Sequence, residues 1–427
     1  MTKTFKLVLM SGVAASFMAA GTANATNGYF SNGYGTAAKG MAGAGVASPE
    51  DTQAGTNNPA GMRALGNRVD ASVAVFSPRR AYSTAGAGPA AFINDNDQKS
   101  SQNIFLVPSF GLNYDMGEYS LGVTMSANGG MNTNYQTNVF TGGTSDATGI
   151  NLEQALLGFT YSRNLGASNT FGITPTIAAQ RFKATGLQGF KAISTDPNKL
   201  TDNGLDYSYG YGLRLGWIGE VNDQLSFGAM AQSRMYMQKL KKYAGLFAGG
   251  GEFDIPATVS LGATFKPTEK LKVSADAERI FYGDVESISN SHNTPTSGFN
   301  RNIPGTTTGS SSLGGSNGIG FGWDDMNVFK LGGEYAYSKA MTLRAGVSHN
   351  SAAFSNTETL FNILAPATVN THLSFGGTYE FAPNMSLSMA YTHAFAANIT
   401  GTNVNHGSPI DLKMYQDDLE VGFKYEF

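Results

Sequence analysis

The sequence predicts an all-β fold, a 14-stranded antiparallel transmembrane β-barrel with an N-terminal hatch in the lumen. Three observations predict it. The last residues alternate strictly: Leu419, Val421, Phe423, Tyr425 and Phe427 share one face, Asp418, Glu420, Gly422, Lys424 and Glu426 the other. That is the period-2 pattern of a strand with unlike sides. Similar alternation recurs along the chain and gives an even strand number, as single-chain bacterial barrels have. The connections between strands alternate short and long without exception, which a β-sandwich has no reason to do.

Composition sets the frame. With 54 glycines, no cysteine, 14% charged residues and a net charge of −3, the chain suits neither a disulfide scaffold nor a nucleic-acid binder. Residues 1–25 read as a cleaved signal peptide. Lys3 and Lys6 form a basic start, residues 7–20 an apolar run too short to span a bilayer, and Ala23-Asn24-Ala25 a cleavage site.

Residues 26–66 are rich in Gly, Ala and Asn and poor in Lys and Glu. They suit a plug inserted into a wide lumen, the alternative being a disordered periplasmic tail. Asn58, Pro59, Ala60 and Gly61 form a turn near its end: Pro59 fixes its own φ and pushes Asn58 toward an extended conformation.

The barrel is predicted over 67–427. Its strands are 67–79, 102–115, 118–128, 152–164, 170–183, 204–219, 224–238, 253–266, 270–282, 326–338, 340–350, 369–382, 384–396 and 414–427. Short turns near 116–117, 165–169, 220–223, 267–269, 339 and 383 belong at the periplasmic end. Long loops at 80–101, 129–151, 184–203, 239–252, 283–325, 351–368 and 397–413 belong outside. In 204–219, Leu205, Tyr207, Tyr209, Tyr211, Leu213, Leu215 and Trp217 are expected to face lipid, and Asp206, Ser208, Gly210, Gly212, Arg214 and Gly216 the lumen. A barrel that closes within one chain needs no partner, so a monomer is expected.

"GTAAKGMAGAGVASPEDTQAGTNNPAGM" resembles the N-terminal hatch of the FadL/TodX family of outer-membrane transporters for long-chain fatty acids and aromatic hydrocarbons. "KYAGLFAGGGEFDIPATVSLG", "FGWDDMNVFKLGGEYAYSKAMTLRAGVSHN", "FNILAPATVNTHLSFGGTYEF" and "LKMYQDDLEVGFKYEF" extend the resemblance to the end of the chain. It implies a fourteen-strand barrel with a hatch, placement in the bacterial outer membrane, and no cofactor. The family's Asn-Pro-Ala motif maps onto Asn58, Pro59 and Ala60. The C-terminal strand ending at Phe427 resembles the signal read by the outer-membrane assembly machinery.

Such a barrel is expected to bind a hydrophobic small molecule and to contact membrane lipid and lipopolysaccharide. Tyr243, Leu246 and Phe247 lie at i, i+3 and i+4 and suggest one face of a short helix in an outer loop. That face is either packed on other loops or, as the resemblance implies, a substrate-entry groove. Lys239, Lys241 and Lys242 nearby suit a carboxylate or lipopolysaccharide phosphates. Gly129-Gly130 interrupt the third strand after Asn128, either as a plain loop start or, by the resemblance, as a kink that opens the wall sideways. Ser126, Arg214, Lys330 and Arg344 are candidate lumen contacts. With Asp276, Glu278, Glu334, Glu420 and Lys424 they make either a bracing network or a carboxylate site. Asp324-Asp325 stand where the family's fatty-acid importers lead one to expect a basic residue, which leaves neutral hydrocarbons open.

Two other classes fit the sequence less well. An enzyme would need clustered groups, but His292, His349, His372, His393 and His406 are scattered. A general diffusion porin is the stronger rival and would lack a plug. "FINDNDQ" at 92–98 suits a solvated loop tip better than a Ca²⁺ site, and no metal is expected.

Overall fold

The computed structural model describes residues 26–84, 93–94, 97–292, 309–401 and 409–427. The expected signal peptide therefore lies outside the described residues. No described helix is long and apolar enough to cross a membrane.

Among the described residues, fourteen long strands make one closed antiparallel wall. They are β1 (Arg68–Thr84), β2 (Phe105–Asp115), β3 (Tyr119–Asn132), β4 (Gly149–Asn164), β5 (Asn169–Thr185), β6 (Asp206–Asn222) and β7 (Leu225–Gln232). The second half runs β8 (Thr258–Thr268), β9 (Leu271–Ile280), β10 (Met326–Ala336), β11 (Met341–Asn350), β12 (Thr371–Ala382), β13 (Met385–Gly401) and β14 (Ile410–Glu426). Each pairs with the next, and β14 closes on β1 from Ile410↔Thr84 to Glu426↔Arg68. Closure leaves no free strand at the edge of the sheet, so most backbone polar groups are paired within the wall.

The alternation is carried out as expected. Tyr207, Tyr209, Tyr211, Leu213 and Leu215 face outward, while Ser208, Gly210, Arg214 and Gly216 are buried inside. Tyr114, Tyr335, Tyr337, Tyr379, Phe381, Phe423, Tyr425 and Phe427 are exposed near the short turns. They form the aromatic girdle of a membrane interface.

Strand ends differ from the sequence reading where side-chain pattern is silent. β1 runs on to Thr84, because its ladder with β14 continues past the apolar belt. β7 stops at Gln232, and Tyr236–Met237 rejoin β6 after a short irregular stretch. β8 begins at Thr258 rather than 253; Pro256, which has no N–H, precedes it.

The segment Thr26–Gly66 lies inside the barrel. It has two short strands, Thr26–Asn27 and Phe30–Ser31, two short helices, α1 (Thr36–Gly40) and α2 (Ala54–Asn57), and a 3-10 helix over Pro59–Ala64. Its glycines allow close packing. A Cβ on Gly43 would overlap the carbonyl oxygen of Asn32, and Gly43 also holds a φ of 83° that side chains avoid.

Candidate functional site

The Asn-Pro-Ala turn is built by local chemistry and then seated on the wall. Asn58 is extended (φ −160°, ψ 106°), as a residue before proline should be. Its Oδ1 accepts from Ala60 N at 3.2 Å. Its Nδ2 donates to Val46 O at 2.7 Å and to Trp217 O on β6 at 3.1 Å. The wall makes room with two glycines. A Cβ on Gly172 of β5 would overlap the Pro59 carbonyl carbon, and one on Gly216 of β6 would overlap Asn58 Oδ1. Asn58, Pro59, Ala60 and Gly61 therefore sit against β5 and β6. Gly172→Val should cost about 1–3 kcal/mol of stability by overpacking. The check is the thermal unfolding midpoint of the purified barrel; an unchanged midpoint would mean the turn does not rest there.

Charged groups tie the rest of the hatch to the lumen. Lys39 Nζ lies 3.0 Å from Asp418 and 2.8 Å from Glu420, both on β14. Burial alone would push the Lys39 ammonium down, but these two carboxylates outweigh it and hold its pKa up. Thr36 Oγ1 donates to Glu420 at 2.7 Å. Asp276 on β9 accepts from Gly45 N at 2.7 Å and Val46 N at 3.1 Å. Glu50 pairs with Arg344 at 2.5 Å and also with Lys272, and Arg344 pairs with Glu334 at 2.7 Å.

These contacts sort the candidate lumen residues. Arg344 is a hatch anchor, and Lys330 is paired with Glu278 at 2.8 Å. Ser126 shares a 3.1 Å hydrogen bond with hatch Thr56. Arg214 meets neutral groups only: its Nε donates to Gln232 at 2.9 Å and its Nη1 to Thr176 at 3.3 Å. The bracing reading fits all four better than a ready carboxylate site.

The third strand does not end at Gly129-Gly130. It continues to Asn132, paired with β4 throughout except for a bulge at Asn128. The break lies on its other edge. The β2–β3 ladder runs from Asp115↔Ser120 to Phe110↔Met125 and stops. Phe105–Ser109 pair with β1 but, among the described residues, have no ladder partner on β3. The two sides meet again where Ser101 N donates to Asn134 O at 2.8 Å. Pro108, lacking an N–H, lies within the unpaired stretch.

This slot has an apolar inner rim. Ala74 and Phe76 of β1, Phe105 and Val107 of β2, and Met125 and Ala127 of β3 form one buried cluster. Hatch residues cover the bulged side. Phe30 pairs with Gly129, Gly130 N donates to Tyr29 O at 3.2 Å, and Tyr34 OH donates to Asn128 Oδ1 at 3.0 Å. The Asn128 amide donates to Gln154 at 2.9 Å, which stabilises the bulge.

At the long-loop end, Tyr243, Leu246 and Phe247 share a helical turn as expected, but they are not an open groove. All three are buried. Tyr243 and Phe247 rings pack on Phe182 with centroids at 4.8 and 4.7 Å, and Phe247 on Phe253 at 4.9 Å. Tyr243 OH donates to Gly204 O at 2.6 Å. The reason is that the long loops do have a core. Leu187, Phe190, Leu240, Val285, Ile288, Phe321, Phe354 and Phe361 join hatch residues Tyr29 and Phe30 in one apolar cluster. Asp325 pairs with Arg279 at 2.8 Å, while neighbouring Trp323 is buried and donates to Asn362 at 2.7 Å. "FINDNDQ" falls partly outside the described residues. Among the described residues no His/Cys/Asp/Glu group suits a metal ion.

A lipid-facing barrel, a lumen filled by its own N-terminal segment, and a wall opened on one side define an outer-membrane channel of the plugged-barrel class. The chain matches the family model described as outer membrane protein transport protein (OMPP1/FadL/TodX) over residues 15–422 and belongs to that family. Its members are transport proteins of the outer membrane, not enzymes. Among solved structures it is similar to the P. putida toluene transporter TodX, at 18% identity over 93% of this chain and 99% of that one, with a TM-score of 0.69. A Pseudomonas aeruginosa FadL homologue is 15% identical over 94% and 100%, with a TM-score of 0.66. The Ralstonia pickettii toluene transporter TbuX is 17% identical over 93% and 99%, with a TM-score of 0.62. At these identities the likeness shows the fold. A 47 kDa outer membrane protein of Pasteurella multocida (strain Pm70) is 29% identical over 99 residues, which span 19% of this chain and 22% of that relative.

Proposed function

We propose that this protein carries hydrophobic small molecules across the outer membrane and releases them sideways into lipid. The observation that carries the reading is the unpaired stretch of β2 beside β3, with apolar side chains on its inner rim and lipid outside. Each CH₂ moved out of water gains about 0.8 kcal/mol. A water-filled pore therefore serves an oily molecule poorly, and an apolar slot into the bilayer serves it well. Entry lies among the long loops, whose shared core must loosen to admit a ligand. The hatch gates the lumen, and the neighbouring toluene transporters support the same substrate class. A diffusion porin is the weaker reading, because the hatch is bonded to the wall in so many directions.

The same reading places the chain in the membrane as a monomer. Its signal peptide is removed on export, its C-terminal strand is read by the assembly machinery, and exposed Lys241 and Lys242 face lipopolysaccharide phosphates. The test is uptake by cells carrying only this channel, comparing oleate, toluene and an alkane with a hydrophilic solute. Uptake of apolar probes alone is expected. Equal passage of the hydrophilic solute would favour the porin, and uptake of none would end the proposal.

A further inference from the structure

We propose that the outer wall carries a docking site for a bisphosphorylated glycolipid of the outer leaflet, the lipid A part of lipopolysaccharide. Arg79, Lys99 and Lys413 form it, where the seam of β1 and β14 rises out of the apolar band. The site is on the lipid-facing wall, apart from the lumen and from the loop residues Lys241 and Lys242. It takes from the reading above only that the long loops point outward.

All three side chains are exposed on the outer face. The ladder register brings them together. Ala81 of β1 is flanked by Lys413 of β14 on one side and by Lys99 of the short strand Asp97–Lys99 on the other. Neighbouring strands lie about 4.8 Å apart, so the two lysines start roughly 10 Å apart across a small residue. Arg79 stands one outward position nearer the membrane centre, opposite exposed Tyr415.

The depth of this patch follows from β14. Leu419, Val421, Phe423 and Tyr425 are exposed below it and mark the apolar band. Lys413 precedes Tyr425 of the girdle by twelve residues. At about 3.4 Å per residue and a tilt of about 40°, that climbs roughly 31 Å, against an apolar band about 25 Å tall. Tyr415 and Arg79 therefore stand at the upper edge of the band and the lysine row just above it. That is the level of the outer-leaflet head groups.

The charges there are uncommitted. Among the described residues, none of the three cations has an ion-pair partner. Other outward arginines do: Arg163 pairs with Glu118, Arg181 with Glu153 and Arg279 with Asp325. Two carboxylates near the patch are engaged, since Asp417 accepts from Tyr391 and Asp411 from Thr400, each at 2.7 Å. Asp97 and Asp411 flank Ser83 in the next row out. Their charge repels a phosphate placed higher and holds it at the level of the cations. Lysine and arginine at this depth attract anionic lipid, and an arginine can take two phosphate oxygens at once. A disaccharide with a phosphate at each end matches cations set two strands apart. The single phosphate of a glycerophospholipid does not.

The experiment uses the purified full barrel in detergent micelles, offered lipid A and phosphatidylglycerol in equal amounts, with bound lipid counted by native mass spectrometry. The wild type is expected to retain lipid A about tenfold over phosphatidylglycerol. Lys99→Gln with Lys413→Gln should lower lipid A retention about tenfold or more. Adding Arg79→Gln should lower it further. Assembly, read by heat-modifiable migration on gels, should not change, because these side chains brace nothing in the wall. Lys241→Gln with Lys242→Gln should leave retention as in the wild type. Equal retention of the two lipids by the wild type would overturn the proposal without any variant. Wild-type retention in an assembled Lys99→Gln, Lys413→Gln barrel would overturn it too. So would a loss confined to the Lys241→Gln, Lys242→Gln barrel, which would move the phosphate contact to the loops. Uptake of toluene by a barrel with no lipid A preference sinks this inference and spares the uptake reading. A lipid A preference in a barrel that takes up no apolar probe does the reverse.

Discussion

Lys39→Met is expected to unseat the hatch. Lys39 is the only cation that the structure places between Asp418 and Glu420 on β14 among the described residues, and all three side chains are buried. Removing the ammonium takes away the cation that the two buried carboxylates share. Breaking a buried pair in this way costs about 3–5 kcal/mol. The loss falls on the contact between plug and wall, because the strands keep their own ladders. Two readouts should move together: a lower thermal unfolding midpoint and a higher ion conductance in planar bilayers. Adding Asp418→Asn and Glu420→Gln should restore most of the stability, since the two neighbouring buried charges are then gone. A variant with wild-type midpoint and wild-type conductance would show that the hatch is held by its packing instead.

Val107→Asp is expected to close the lateral route to oily molecules. Val107 faces inward on β2, in the apolar cluster beside the unpaired edge. A carboxylate there is solvated by nothing in the cluster and draws water into the slot. Desolvating it past an oily ligand costs several kcal/mol, so uptake of toluene or oleate should fall at least about tenfold. The barrel should still assemble, because the ladders of β2 with β1 and of β3 with β4 do not use this side chain. Assembly is read by heat-modifiable migration on gels. Undiminished uptake in a folded Val107→Asp barrel would place the exit elsewhere.

The wall was legible in the sequence because its physics is local. One face meets lipid and the other the lumen, so residue character must alternate. Leu419 to Phe427 and Tyr207 to Leu215 carry that pattern plainly, and the lengths of the connections supply the topology. The slot was not legible in the same way. Whether β3 keeps its β2 partner is a matter of backbone pairing, which side-chain alternation does not record. Asn128-Gly129-Gly130 do mark an irregularity, a bulge in the ladder with β4, but the strand continues past it to Asn132. The better signal was Pro108 on the opposite strand, a residue that withholds a donor from the ladder.

Burial in the loops failed for another reason. Helical spacing in Tyr243, Leu246 and Phe247 was readable, but much of their cover comes from Phe182 and from a loop core shared with hatch residues Tyr29 and Phe30, all remote in sequence. β1 also runs past residue 79, where the alternation of apolar side chains gives out, to Thr84. Continuing the alternation of Phe76 would have placed Arg80 and Tyr82 inside. The seat of Asn58-Pro59 likewise depends on Gly172 and Gly216, which read only as small residues on a lumen face.

The seam between β1 and β14 bears on the order in which the molecule comes together. Thr26 N donates to Gln416 on β14 at 2.9 Å, and Lys39 and Thr36 reach Asp418 and Glu420 on the same strand. The earliest described residues therefore hold the last strand, which is also the strand that closes the cylinder. A plug threaded in after closure would have to pass a finished wall. A plug already folded against β14 would instead line that strand up for β1. Zipping the seam and loading the plug then become a single kinetic event, and a chain that mislays its N-terminal segment should stall as an open sheet.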